Sequence, residues 1–329
     1  MGSWTTSSER AGDAVRIYFC SDIHASRKCW KKFLNSWKFY EADHIVVGGD
    51  ITGKFVVPII EQAGGVYRAT FLGIERTVHP GEELDTLVTR VADAGQYPWI
   101  TTPDEHATYE GNQDRIDDLF KKLLMDRAEE WMQEADEKLR GTGVRCFVSG
   151  ANDDFFEIDD VIARSEVVED PNGTVIELEG GFELMGMGYG NPTPWACPRD
   201  IPEEELAERI DKAAAGVKNM DRAIFSLHVP PLGSGLDIAP KLDDYLRPRV
   251  GGVGMEMIPV GSTATRDAIK KYKPMVGLHG HIHESKGVKK LDGVTIANPG
   301  SEYGEGVLDG LLVDIDPKKG LKRVDLVTG

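Results

Sequence analysis

Five short apolar runs in this chain each give way to a carboxylate, an amide or an imidazole, and this pattern constrains the fold most. Val15–Cys20 is followed by Asp22-Ile23-His24, and Ile45–Val47 passes through Gly48-Gly49 to Asp50. Val144–Ser149 leads to Asn152-Asp153-Asp154, Ala223–Leu227 to His228, and Met275–Leu278 to His281-Ile282-His283. Short apolar runs bounded by turn residues read as buried strands. Between the first two, Trp30, Phe33, Leu34 and Trp37 recur at helical spacing and predict a helix from about Ser26 to Tyr40. A strand, a helix and a strand in so short a stretch form a βαβ unit, so the sheet starts parallel.

Further elements follow. A β-hairpin is expected within Phe55–Ile74, then helices from about Glu82 to Ala94 and Gln113 to Arg140. Ile116, Leu119, Phe120, Leu123, Leu124, Trp131, Met132 and Leu139 form the stripe of the second helix. Strands are expected at Val175–Leu178, Phe182–Met187, Val294–Ala297, Gly310–Ile315 and Lys322–Val327, and helices at Pro202–Val217 and Thr265–Lys271. Strands that outnumber helices after a βαβ opening predict an α/β sandwich of mixed sheets with helices outside. Residues 15–329 read as one such domain, with an insertion at about 54–143, and 1–14 as a polar, disordered lead-in. The long helix is expected to pack on the core and leave room for a homodimer face, rather than close over a site as a lid.

The formal charge of −17 disfavours a partner held along a phosphate backbone, so no long nucleic acid is expected. No apolar run is long enough for a membrane span, and the N-terminus lacks the apolar core of a secretory signal. Cys20, Cys29, Cys146 and Cys197 form no C-x-x-C pair and read as buried free thiols. A cytoplasmic protein is the expectation.

The polar residues lie just past the C-terminal ends of strands, where open α/β sheets place their sites. Asp22 and His24, two apart in an extended chain, point to one side and can grip one cation. The blocks Asp22-Ile23-His24, Gly49-Asp50, Gly150-Ala151-Asn152-Asp153-Asp154, His228 and Gly280-His281-Ile282-His283 resemble, in this order, the signature of the calcineurin-like metallophosphoesterases. Asn298-Pro299-Gly300-Ser301 looks like a stretch common in their small bacterial and archaeal phosphodiesterase branch.

That resemblance implies a four-layer αββα sandwich and two divalent ions from among Mn, Fe, Zn, Ni and Co, with manganese among the candidates. Asp22, His24 and His283 would hold one ion, Asn152, His228 and His281 the other, and Asp50 would bridge them. The implied reaction is hydrolysis of a small phosphate ester, such as a nucleotide, by attack of a metal-bridging hydroxide. Asp50, Asn152, His228 and Asp153 would be the catalytic candidates, with Asn152 also meeting substrate. One departure stands out: Asp153 occupies the place of the histidine read in the family as general acid or transition-state clamp. Without that help, diesters or activated esters are expected over alkyl monoesters. Arg27 and His279 are further candidates for substrate contact, and Glu302 and Tyr303 for the rim. A nuclease acting on short or single strands and a non-catalytic interaction module are the alternative functions.

Overall fold

The computed structural model describes residues 14–252 and 254–329, so the expected lead-in, apart from Ala14, lies outside the described residues. Two six-stranded sheets face each other. In the first, β1 (Val15–Cys20), β2 (His44–Val47) and β3 (Arg145–Val148) run parallel. Asp309–Asp316 and Gly320–Thr328 extend it antiparallel beyond β1, and Val168–Glu169 closes the other edge. In the second, Phe182–Met187, β4 (Ala223–Leu227), β5 (Val276–Leu278) and Val294–Asn298 are parallel, and Val175–Leu178 and Gly287–Leu291 are antiparallel edges.

The period of two along each strand divides the side chains between two cores. Ile17 and Phe19 of β1 point between the sheets, onto Leu184, Ile224, Val276 and Leu278 of the second sheet. Tyr18 and Cys20 point the other way, into an outer layer built by helices α1 (Arg27–Tyr40) and α2 (Gln113–Leu139). Trp30 of α1 and Trp131 of α2 stack there, with ring centroids 4.7 Å apart and planes 4° from parallel. On the far side, α3 (Glu203–Ala214) and α4 (Thr263–Tyr272) cover Met185, Phe225 and Ile296. Helix, sheet, sheet, helix is the four-layer order that the sequence resemblance implied.

The amphipathic stripe of α2 buries Leu124, Ala128, Trp131, Met132, Ala135 and Leu139 against this frame. Ile116, expected on that stripe, is instead exposed near the helix start. The expected hairpin is the centre of a four-stranded sheet, in the order Ile74–Val78, Val66–Phe71, Val56–Gln62, Tyr97–Thr101. The helix Glu82–Asp93 packs Leu84, Leu87 and Val91 on it. The two outer strands carry Glu75, Arg76 and Pro98, which interrupt the apolar alternation by which a strand is read. Among the described residues no helix is long and apolar enough to cross a membrane. All four cysteines are free and three are buried; Cys197 departs from expectation and is half-exposed, because it lies in the Pro-rich loop after Asn191.

Candidate metal centre

The loops leaving β1, β2, β3, β4 and β5 converge on one end of the sandwich. Backbone hydrogen bonds lock them pairwise: Asp22 N–H to Gly49 C=O and His24 N–H to Asp50 C=O, both 3.0 Å, and Gly280 N–H to His228 C=O, 2.8 Å. The backbone there is strained. Asp22, His24, Asp50 and His281 have φ of 56°, 36°, 51° and 64°, a left-handed region that costs a non-glycine residue about 1–3 kcal/mol. Such strain persists only where the surroundings enforce it. Close approach also demands glycine. A Cβ at Gly280 would lie 2.3 Å from Asp22 Oδ2, and one at Gly49 2.2 Å from Ala151 Cβ and 2.9 Å from His228 Nδ1.

Two sets of ligand atoms result: Asp22, His24 and His283, and Asp50, His228 and His281, each within 4.8 Å of one another. Asp22 Oδ1 lies 3.3 Å from His283 Nε2 and 3.9 Å from His24 Nε2. Asp50 Oδ2 lies 3.4 Å from His228 Nε2 and 3.8 Å from His24 Nε2, and so faces both sets. Asn152 is buried, and the next residue, Asp153, donates its N–H to Asp50 Oδ1 at 3.1 Å.

Four of the donors are aimed by a second contact. His24 Nδ1 lies 3.1 Å from Thr52 C=O and His228 Nδ1 3.0 Å from Gly48 C=O, which leaves each Nε2 facing the centre. Asp22 Oδ2 accepts from His281 N–H at 2.9 Å. Asn152 Nδ2 donates to Asp200 Oδ1 at 3.3 Å, which fixes the amide and frees its oxygen. Asp200 is held in turn by the Thr193 hydroxyl and the Thr193 and Cys197 amides. Asp154 ties two ligand loops together, accepting from the Ile51, Thr52 and Ala151 amides and the Thr52 hydroxyl. Burial pushes Asp154 up to about 6.

Burial and the two carboxylates set the charge of the imidazoles in opposite directions. Burial holds His24 and His281 down at about 4, so both imidazoles are neutral with a lone pair to give. Burial also opposes charge on His228, but Asp50 and Asp22 outweigh it and raise His228 to about 10. Burial would raise the two carboxyls, yet His228 holds both well below the usual carboxylate range. Asp22 Oδ1, Asn152 Oδ1 and His228 Nε2 are buried with no hydrogen-bond partner. Leaving such atoms unpaired costs about 1–3 kcal/mol each, and three in one place fit a cation site. The mixed imidazole, carboxylate and amide donors suit divalent transition metals.

The structure thus brings together six of the seven residues expected as ligands, and holds the seventh, Asn152, on the turn that donates to Asp50. Asp153 joins them: its carboxylate, His24 and Asp50 also lie within 4.8 Å of one another. Arg27 does not join them. It pairs with Glu130 at 3.7 Å and lines a groove of about 670 Å³ along α1 that includes none of the ligands. His279 is fully buried, with Nδ1 2.7 Å from Leu227 C=O. Tyr303 packs its ring 4.7 Å from that of His24 and 5.8 Å from that of His283. Sequence reasoning overlooked three residues. Lys54 pairs with Asp153, Asp200 orients Asn152, and the fully buried Arg199 donates to Asp154 C=O, Phe155 C=O and the Asp159 carboxylate. No strand precedes Arg199 or Asp200, so the pattern that found the ligands was blind to them; Lys54, four residues past Asp50, was within its reach.

No family model matches the sequence. An uncharacterized protein of Methanocaldococcus jannaschii, MJ1162, is 25% identical over 142 residues, 41% of this chain and 58% of that protein, so the match spans under two thirds of its length. The crystal structure of TT1561 of Thermus thermophilus superposes with a TM-score of 0.53 at 14% identity, covering 96% of this chain and 98% of that one. A second crystal structure gives 0.52 at 15% identity, over 95% and 98%. At these identities the likeness is one of fold. With its paired mixed sheets, outer helices and strand-end loops gathered at one end, the chain shares its overall fold with these two structures.

Proposed function

We propose that the chain is a dinuclear metal-dependent phosphoesterase that hydrolyses a small phosphate ester, with diesters preferred over alkyl monoesters. The observation that carries this reading is the convergence of Asp22, His24, Asp50, His228, His281 and His283, four of them buried, at the sandwich end, with unpaired buried atoms on Asp22, His228 and the adjoining Asn152. Asp22, His24 and His283 would hold one ion and Asn152, His228 and His281 the other, with Asp50 between. Ions there supply Lewis acidity toward a phosphate oxygen and lower the pKa of water.

The remaining work falls to the chain. The carbonyls of Thr52 and Gly48 keep His24 and His228 from rotating, so their free nitrogens stay fixed as charge develops. Asp200 does the same for the Asn152 oxygen. A loaded site would carry a net charge of about +2, enough to draw in a single ester within an acidic protein. No imidazole stands at Asp153, whose carboxylate is engaged by Lys54 and by the Cys197 thiol. Protonation of a poor leaving group therefore lacks an evident donor, which supports the diester preference. The four free thiols accord with a cytoplasmic, reducing setting, which is part of the same proposal.

The test is turnover of bis-aryl and mono-aryl phosphates and cyclic nucleotides with Mn, Ni, Zn and Mg added singly. Metal-dependent cleavage with the diester faster is the expected result. A protein that binds no transition metal at micromolar concentration overturns the reading, and a clear monoester preference removes its diester part.

A further inference from the structure

Asp153 presents a problem of charge. An ionised carboxylate beside Asp50 would repel the ester that the site is proposed to take. Its backbone N–H donates to Asp50 Oδ1 at 3.1 Å, which fixes the main chain of Asp153 beside Asp50. Lys54 answers it. Lys54 Nζ lies 2.5 Å from Asp153 Oδ2, and Cys197 Sγ donates to Oδ1 at 2.7 Å. Among the described residues, Lys54 is the one cation within ion-pair distance of Asp153. The loop after Asp50 that brings it there is held by the Gly53 N–H, which donates to the buried Tyr97 hydroxyl at 2.9 Å.

An ammonium has three donors, and Asp153 takes one. The Lys54 side chain is 42% exposed whereas that of Asp153 is 16% exposed, so the ammonium lies toward the open side of the pair. Its remaining donors can meet an oxygen there without breaking the contact to Asp153. A fixed cation of this kind stabilises negative charge on an oxygen and transfers no proton.

We propose that Lys54 contacts an oxygen of the phosphate ester, and that Asp153 is the positioning residue that holds Lys54 beside the metal centre. This rests on the phosphoesterase reading. A purely structural alternative is that Lys54 only neutralises Asp153, and a double variant separates the two. The metal-loaded wild type, Lys54→Met, Lys54→Arg and Lys54→Met/Asp153→Asn are compared by calorimetric titration with inorganic phosphate and by kcat/KM on bis(p-nitrophenyl) phosphate. Metal content and melting temperature confirm that each variant is folded and loaded. In Lys54→Met, phosphate affinity should fall about 10–100-fold, the range for a charge-assisted hydrogen bond. Lys54→Arg should recover most of it. In the double variant the loss should persist, because the donor is still missing although the charge is balanced again. Wild-type affinity in the double variant overturns the contact. A loaded wild type that neither binds phosphate nor cleaves the diester refutes the phosphoesterase reading itself.

Discussion

The two sides of the site are built on different principles. The side that carries the seven candidate ligands is mostly buried, and its donors are aimed chiefly by the backbone: carbonyls of Gly48 and Thr52, the amide of His281, left-handed turns at four of the seven. The Lys54–Asp153–Cys197 corner is more open and is held by one side chain on another. Backbone anchoring makes the ligand side rigid and intolerant of change. Side-chain anchoring leaves the corner adjustable, because a new partner can be met by moving one long side chain. Under the proposed function, metal chemistry would be fixed by the fold and choice of ester set at the corner.

The largest effect that would break this contrast is expected on the ligand side. His228→Ala removes a donor facing Asp50, and both bound metal and turnover should fall by more than about 100-fold, the upper end for losing an outer partner of a ligand. Elemental analysis beside turnover checks it; full metal content in the variant would move His228 out of the ligand set. Next comes Arg199→Ala. Its guanidinium is fully buried and bonds two carbonyls and the Asp159 carboxylate behind the Asn152 loop. Denaturant unfolding should show a loss of about 2–4 kcal/mol from two orphaned carbonyls and the space left behind; a loss under about 1 kcal/mol would mean that the loop does not depend on it.

Asp200→Ala frees the Asn152 amide without touching a ligand atom, so metal affinity should weaken about 10–100-fold with the fold intact. A metal titration reads this directly, and an unchanged affinity would show that Asn152 needs no orienting partner. The smallest effect lies away from the site. Burial lowers the pKa of His44, despite its contact with Glu179 at 2.8 Å. The unfolded chain then binds a proton near the ordinary value of about 6.5 that the folded chain still refuses. Stability should therefore fall as pH drops below about 6.5 and be unaffected by this group above neutrality. His44→Gln should flatten that part of a urea-midpoint profile, and an unaltered profile would assign the slope to other groups.

Legibility in the sequence follows the same division. Asp22, Asp50, Asn152, His228 and His281 can be found because each follows an apolar strand, and a strand end fixes where the next residue goes. The sandwich is readable for the same reason: period-two runs such as Val15–Cys20 sort themselves between two cores. Asp200 and Arg199 reach the site from a loop after Asn191, whose path depends on tertiary packing rather than local pattern. Tyr97–Thr101 joins its sheet beside Val56–Gln62, a strand far back in the chain, and no short window contains both. The stripe on α2 is visible, but where it buries is decided by Trp30, on another helix.

The hydrogen bond from His281 N–H to Asp22 Oδ2 and the contact of His228 Nδ1 with Gly48 C=O sew the loop tips of both sheets into a single seam. Such a seam acts as a gauge of alignment. A slip of one residue in either sheet would turn the strand ends over and scatter the donors to opposite faces. The site therefore exists only when both layers are in register, and a chain that has misfolded at the sandwich level cannot be partly competent to hold metal.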